Sequence, residues 1–212
     1  MVEVEIRGEL TKEQSEELKQ LLSQRGKHIR TQDREMILLR DYPGYDKDPT
    51  RRHADIRIRR TNGQSEIMLK YKAGEGNVGR HEISLPLEGD SFEQAKAIAA
   101  GFGCTHGLWV HRISEIYEHS GIEWAIVEAL TRDGEVRKTY YEAEAAAKSE
   151  ADVPHVREQL MIAAGQFKVP VLETDEAMRD FIYELDRAVN EEITLGEPFH
   201  LSSGKGVGGK YG

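Results

Sequence analysis

The chain has one cysteine, Cys104, among 212 residues. It can form neither an intrachain disulfide nor a multi-thiolate metal site, so no oxidising compartment is needed and Cys104 reads as an ordinary small apolar residue. No run of 18 apolar residues occurs, and the chain opens on alternating glutamates instead of a basic segment followed by a greasy one. Neither a membrane span nor a secretory signal is expected, and the expected location is cytoplasmic. The eight histidines lack paired metal-ligand spacing, and no Ser-His-Asp or Cys-His arrangement emerges from the spacing.

What the sequence does have is strands with a charged face. Glu3, Glu5 and Arg7 alternate with Val2, Val4 and Ile6, which places charge on one side of a strand and aliphatics on the other. The same interleaving returns in four later segments. Net charge is −9, which speaks against generic binding of extended nucleic acid, yet residues 51–80 hold eight Lys/Arg against three acids. A basic island in an acidic chain suits a compact polyanion held at one place; the bland alternative is a solvated, salt-bridged hairpin.

Strands are predicted at about 2–8, 35–40, 54–60, 65–72, 80–87, 109–119, 122–131 and 135–145. Asn62-Gly63 joins the third to the fourth as a tight hairpin, and Asp133-Gly134 joins the last two. Thr11 to Gln14 and Ser91 to Gln94 have capping-box spacing and open two helices. Two further apolar stripes, Val156 to Ala164 and Met178 to Val189, predict helices that close the fold within 150–192. The expectation is an α+β protein forming one domain over 1–195, with its strand core in 1–145 arranged as an eight-stranded antiparallel β-barrel or tunnel. Helices pack outside it, two of them C-terminal, and the glycine-rich segment 202–212 is read as a flexible tail.

If the charged faces line the interior, carboxylates from both ends of the strand sequence meet cations from its middle. Carboxylate oxygens suit a hard divalent cation such as Mg²⁺, and Arg and Lys suit a polyphosphate. Glu-x-Glu-x-Arg at 3–7, Ile-Arg-Ile-Arg at 56–59, Met-Leu-Lys-Tyr-Lys at 68–72, Arg-x-Glu at 80–82 and Glu-x-Glu at 142–144 together resemble the CYTH superfamily, the triphosphate tunnel metalloenzymes. The resemblance covers residues 1 to about 145.

It implies a tunnel that binds a small-molecule triphosphate, with Mg²⁺ or Mn²⁺ as cofactor. Glu3, Glu5, Glu142 and Glu144 are the implied metal ligands. Arg7, Arg57, Arg59, Lys70, Lys72, Arg80 and Arg112 are the implied phosphate grip, and Glu3, Glu5 and Arg7 the candidate catalytic residues. Glu82 is an added candidate as an ion-pair partner, and Glu128 as a further metal acid. The chain departs from the family pattern at Arg7, where Lys is usual, at Ser84, where a second acid is common, and at Ser114, which accompanies Arg112 in place of a second base.

A two-residue Asp133-Gly134 turn pairs Glu123 with Glu144 and sends Glu128 to the opposite face. The implied activity is metal-dependent triphosphate hydrolysis; the alternatives are an adenylyl cyclase of class IV type and a non-catalytic triphosphate binder. Gly204 to Lys210 matches most of a P-loop but lacks its final Ser/Thr and its strand-to-helix context. His53, His81 and His111 read as surface or tunnel-wall residues.

Overall fold

A computed structural model describes residues 1–74 and 79–198. The elements run β1 Val2–Glu9, α1 Lys12–Arg25, β2 Lys27–Leu39, β3 Ala54–Thr61, β4 Gln64–Lys72, β5 Gly79–Pro86, α2 Phe92–Gly101, β6 His106–His119, β7 Ile122–Leu130 and β8 Val136–Ala147. They end with α3 Val153–Phe167, α4 Asp175–Ala188 and β9 Glu191–Thr194. Strand order is β2-β3-β4-β5-β1-β8-β7-β6, and a β2–β6 pairing returns the sheet to its start. Eight antiparallel strands thus form a closed ring. Closure leaves neither β2 nor β6 as a free edge.

The local signals act as their chemistry requires. Asn62 and Gly63 both take positive φ, 48° and 81°, and Thr61 pairs directly with Gln64, the geometry of a two-residue hairpin loop. Thr11 Oγ1 accepts from the Gln14 amide at 3.2 Å while Gln14 Oε1 accepts from the Thr11 amide at 2.9 Å, so the first capping box forms. The second does not: Ser91 makes no side-chain cap bond and donates instead to the Glu88 carbonyl at 2.5 Å.

Two strand assignments change. β2 begins at Lys27, eight residues before the predicted start, because its polar first half is held by pairing with β6, from Lys27 opposite Glu118 onward. An ordered alternation is not needed where a neighbouring strand, here β6, supplies the hydrogen bonds along that stretch. The short β9 was not predicted; it pairs with β6 at 106–109, the stretch of that edge beyond the end of β7. The predicted tail at 202–212 lies outside the described residues.

The ring is apolar outside and charged inside. Val2, Val4, Ile6, Trp124, Tyr141 and Ala143 are all under about 5% exposed and pack beneath Leu18 and Leu22 of α1 and Val156, Leu160, Ala164 and Phe167 of α3. α4 behaves differently. Thr174 caps it by accepting from the Ala177 amide at 3.1 Å, and its Phe181 and Leu185 pack on Val127, Ala129 and Tyr140, all of which alternate in phase with the inward charges. So α4 covers one mouth of the ring. Among the described residues no helix is long and apolar enough to cross a membrane.

Candidate functional site

Period-2 alternation in β1 aims Glu3, Glu5 and Arg7 inward while burying the aliphatics between them. Register carries the same parity around the ring. Glu5 lies opposite Glu144 and Arg7 opposite Glu142, Glu3 opposite Arg80, Lys70 opposite Glu82 and Lys72 opposite Arg80, and Arg57 opposite Met68. Residues from five strands therefore face one interior space. A cavity of about 160 Å³ there is lined by Glu5, Arg7, Arg57, Lys70, Arg80 and Arg112, with Met178 and Ile182 of α4 on its far side.

The acids divide into two sets. Oxygens of Glu3, Glu5 and Glu144 lie within 4.8 Å of one another. Lys70 Nζ, only 6% exposed as a residue, bonds to Glu3 and reaches Glu82 at 3.1 Å and Glu5 at 3.5 Å. Glu142 turns the other way, 3.0 Å from Arg7 and 3.7 Å from Arg112. Of the four acids implied as metal ligands, the structure gathers three and places the fourth against arginines. Arg7 also binds Glu5 through Nε.

Burial pushes the Glu144 carboxyl up, and the neighbouring Glu5, Glu142 and Glu3 push it further, to about 9. Burial works the same way on Glu5, but Arg7 and Lys70 outweigh it and hold Glu5 at about 2. For Glu3, burial outweighs Lys70 and the shift is upward. The sign for stability follows for Glu144. Its folded-state value lies above the unfolded 4.5, so it contributes stability that is fully present below about pH 4.5 and lost as pH rises through about 9. Melting of the metal-free protein is expected to fall across that window, and Glu144→Gln to flatten the fall. Equal slopes in the two proteins would refute the assignment.

The cations are mostly tethered. Arg57 Nη2 donates to Asp55 at 3.2 Å, and Arg80 Nη1 lies 3.5 Å from the same carboxylate. Arg59 Nε donates to Glu66 at 2.5 Å, and Lys72 Nζ donates to the Thr50 carbonyl at 2.6 Å. Arg112 lies over the Tyr140 ring with its Cζ 5.5 Å from the centroid. Ser84 hydrogen-bonds Glu66, so an acid at position 84 would face a second carboxylate there. Glu128, as parity predicted, is on the outer face, 3.4 Å from Lys19 of α1, and does not join the acids. His81 and His111 lie on outer faces too, 3.6 Å from Glu150 and 2.8 Å from Asp33.

Residues 1–176 match the family model of the CYTH domain. The chain belongs to the CYTH family. No curated protein sequence matches it, but solved structures do. The PH1819 protein of Pyrococcus horikoshii OT3 is 21% identical with a TM-score of 0.64, over 86% of this chain and 99% of that one. The PH1012 protein of the same organism is 14% identical with a TM-score of 0.61, over 79% and 91%. HpAC1 of Hippeastrum, a candidate adenylyl cyclase with a dominant triphosphatase activity, is 15% identical with a TM-score of 0.55, over 80% and 89%. At these identities the likeness is one of fold.

Within this CYTH ring the structure adds inward residues that the motifs do not contain. Arg34 lies opposite Arg112 and, among the described residues, hydrogen-bonds only the neutral Thr61 and Gln32, at 3.1 and 3.0 Å; burial and then Arg59 hold its guanidinium down at about 10. Arg34 falls outside the predicted strand because β2 starts earlier than its apolar pattern. Asp55 and Glu66 were legible, being in phase with Arg57 and Lys70 respectively, but they interrupt basic motifs and carry the opposite sign.

Proposed function

We propose that this CYTH protein hydrolyses a triphosphate inside the ring in a metal-dependent reaction. The observation that carries the proposal is that Glu5 belongs both to a three-carboxylate cluster with Glu3 and Glu144 and to the lining of a cavity walled by Arg7, Arg57, Arg80 and Arg112. The donor set fits a hard divalent cation: three carboxyl groups lie together, and a cation there would relieve the crowding that, after burial, raises Glu144. Glu3, Glu5 and Glu144 would hold Mg²⁺ or Mn²⁺, and Glu142 instead fixes Arg7. When bound, such a cation supplies charge neutralisation and Lewis-acid polarisation at a phosphoryl oxygen.

The chain's own side chains do the rest. Arg57, Arg80, Arg7 and Arg112 bind and orient the phosphates by charge-assisted hydrogen bonds, and their partly desolvated setting strengthens each bond. Among the described residues Arg57 Nε and Arg80 Nη1 are buried without a hydrogen-bond partner, the latter facing Asp55 only as an ion pair at 3.5 Å, so both can donate to an oxyanion. Lys70 ties the acids to the basic wall. The triphosphatase activity of the Hippeastrum structural relative favours hydrolysis over cyclisation.

The test is product analysis with inorganic triphosphate, ATP and thiamine triphosphate in Mg²⁺ or Mn²⁺. Orthophosphate release is expected. Arg57→Ala should lower kcat/KM by about 10²-fold, the scale of one preorganised donor. Cyclic AMP with pyrophosphate would make the protein a cyclase, and tight binding without turnover would make it a triphosphate sensor.

A further inference from the structure

A carboxylate stands in the wall that a polyanion has to approach. Asp55 is 7% exposed, and its Oδ2 serves both Arg57 and Arg80. Its other oxygen, Oδ1, accepts from Arg52 Nη1 at 2.9 Å. Arg52 comes from the connection between β2 and β3 and is equally buried, at 7%. That connection fixes it on three sides: its Nε donates to the Asp46 carbonyl at 2.9 Å, its Nη2 to the Tyr45 hydroxyl at 3.2 Å, and its Cζ lies 4.7 Å from the Tyr45 ring centroid. Arg52 and Asp55 both line the cavity.

Alone, a buried carboxylate beside the phosphate-binding arginines would repel the ligand and cost desolvation. Paired with Arg52 it contributes no net charge, so Arg57 and Arg80 keep their pull on an anion. What Asp55 adds is order. Both arginines are long side chains, and fixing them before the ligand arrives removes a cost otherwise met at binding. Among the described residues the fixing leaves Arg57 Nε without a hydrogen-bond partner, and Arg80 Nη1 meets Asp55 only as an ion pair at 3.5 Å with no hydrogen bond, so the anchor leaves hydrogen-bonding capacity for the ligand.

We propose that Asp55 is a positioning residue that holds Arg57 and Arg80 ready for a phosphate chain, and that Arg52 belongs to the site as the cation cancelling the Asp55 charge. This rests on the triphosphate reading above. The experiment is a double-mutant cycle of Arg52→Met and Asp55→Asn, with Arg52→Lys as the conservative variant. It uses the whole chain and inorganic triphosphate in Mg²⁺, and reads kcat, KM, affinity by calorimetry and melting temperature.

Arg52→Met leaves the acid uncompensated and is expected to raise KM by about tenfold or more, Asp55→Asn by several fold, each with kcat within about twofold. The double variant should bind better than Arg52→Met alone, and Arg52→Lys should retain most of the affinity. A double variant as poor as Arg52→Met, or an Asp55→Asn protein that binds more tightly than wild type, overturns the assignment. So do variants that melt lower with KM unmoved, since that is the mark of a purely structural pair. A wild-type protein that neither binds nor turns over triphosphate removes the tunnel reading itself, and this role with it.

Discussion

Glu5→Gln is expected to lower metal-dependent triphosphate turnover by about 10²–10³-fold, the scale of losing a main electrostatic element of a site. Glu5 meets every part of the centre: it shares the cluster with Glu3 and Glu144, binds Arg7 and lies 3.5 Å from Lys70. Gln keeps the shape and removes the charge, so a metal ligand is lost while the backbone ring has no reason to open. Calorimetry with Mn²⁺ should show a parallel loss of metal affinity. Glu128→Gln serves as the control, because Glu128 is on the outer face beside Lys19, and its turnover should stay within about twofold, as for most surface changes. Unchanged activity in Glu5→Gln would mean that the acid cluster is not where the metal acts.

Arg7→Met should produce the largest loss of stability among the inward charges. Its guanidinium compensates Glu5 and Glu142 together, with side chains only 17%, 13% and 14% exposed. Burial by itself depresses a guanidinium, yet Glu142 and then Glu5 hold Arg7 well above its usual value. Removing it leaves two part-buried carboxylates without their nearest cation, only Lys70 remaining at 3.5 Å from Glu5 and Arg112 at 3.7 Å from Glu142, and breaking such a pair costs about 3–5 kcal/mol. At about 2–4 °C per kcal/mol for a chain of this size, the melting temperature should fall by roughly 6–20 °C. Arg7→Lys keeps one charge and should restore part of the loss. A melting temperature within about 2 °C of wild type would show that these pairs carry little net stability, as exposed pairs do.

Much of this architecture can be read from residue order. Alternation in residues 2–7 and 54–60 states which side chains share a face, Asn62-Gly63 states the hairpin register, and parity around Asp133-Gly134 places Glu128 outside. That turn is in fact irregular, with Leu130 opposite Val136, yet Glu123 still pairs with Glu144 and Ala125 with Glu142, because the one-residue shift between Ala129 and Leu130 restores the register of a two-residue turn. The polar start of β2 is illegible for the opposite reason: residues 27–34 have no apolar period, and only pairing with β6 makes them a strand.

Residue order is enough to assign side chains to the inner face, because a strand repeats every two residues whatever surrounds it. It also set the hairpins and the first helix cap, whose partners are a few residues apart. The tertiary structure alone decided which inward groups meet. Among the described residues β1 pairs with β5 as Glu3 with Arg80 and Val4 with Gly79, and that contact between distant segments brings the carboxylates to Lys70 and the basic wall. It likewise decided that Glu142, one alternation from Glu144, points to Arg7 and not to the other acids. Parity assigns a face, but position along the axis of a closed ring depends on how eight strands stagger together, and no local pattern encodes that stagger.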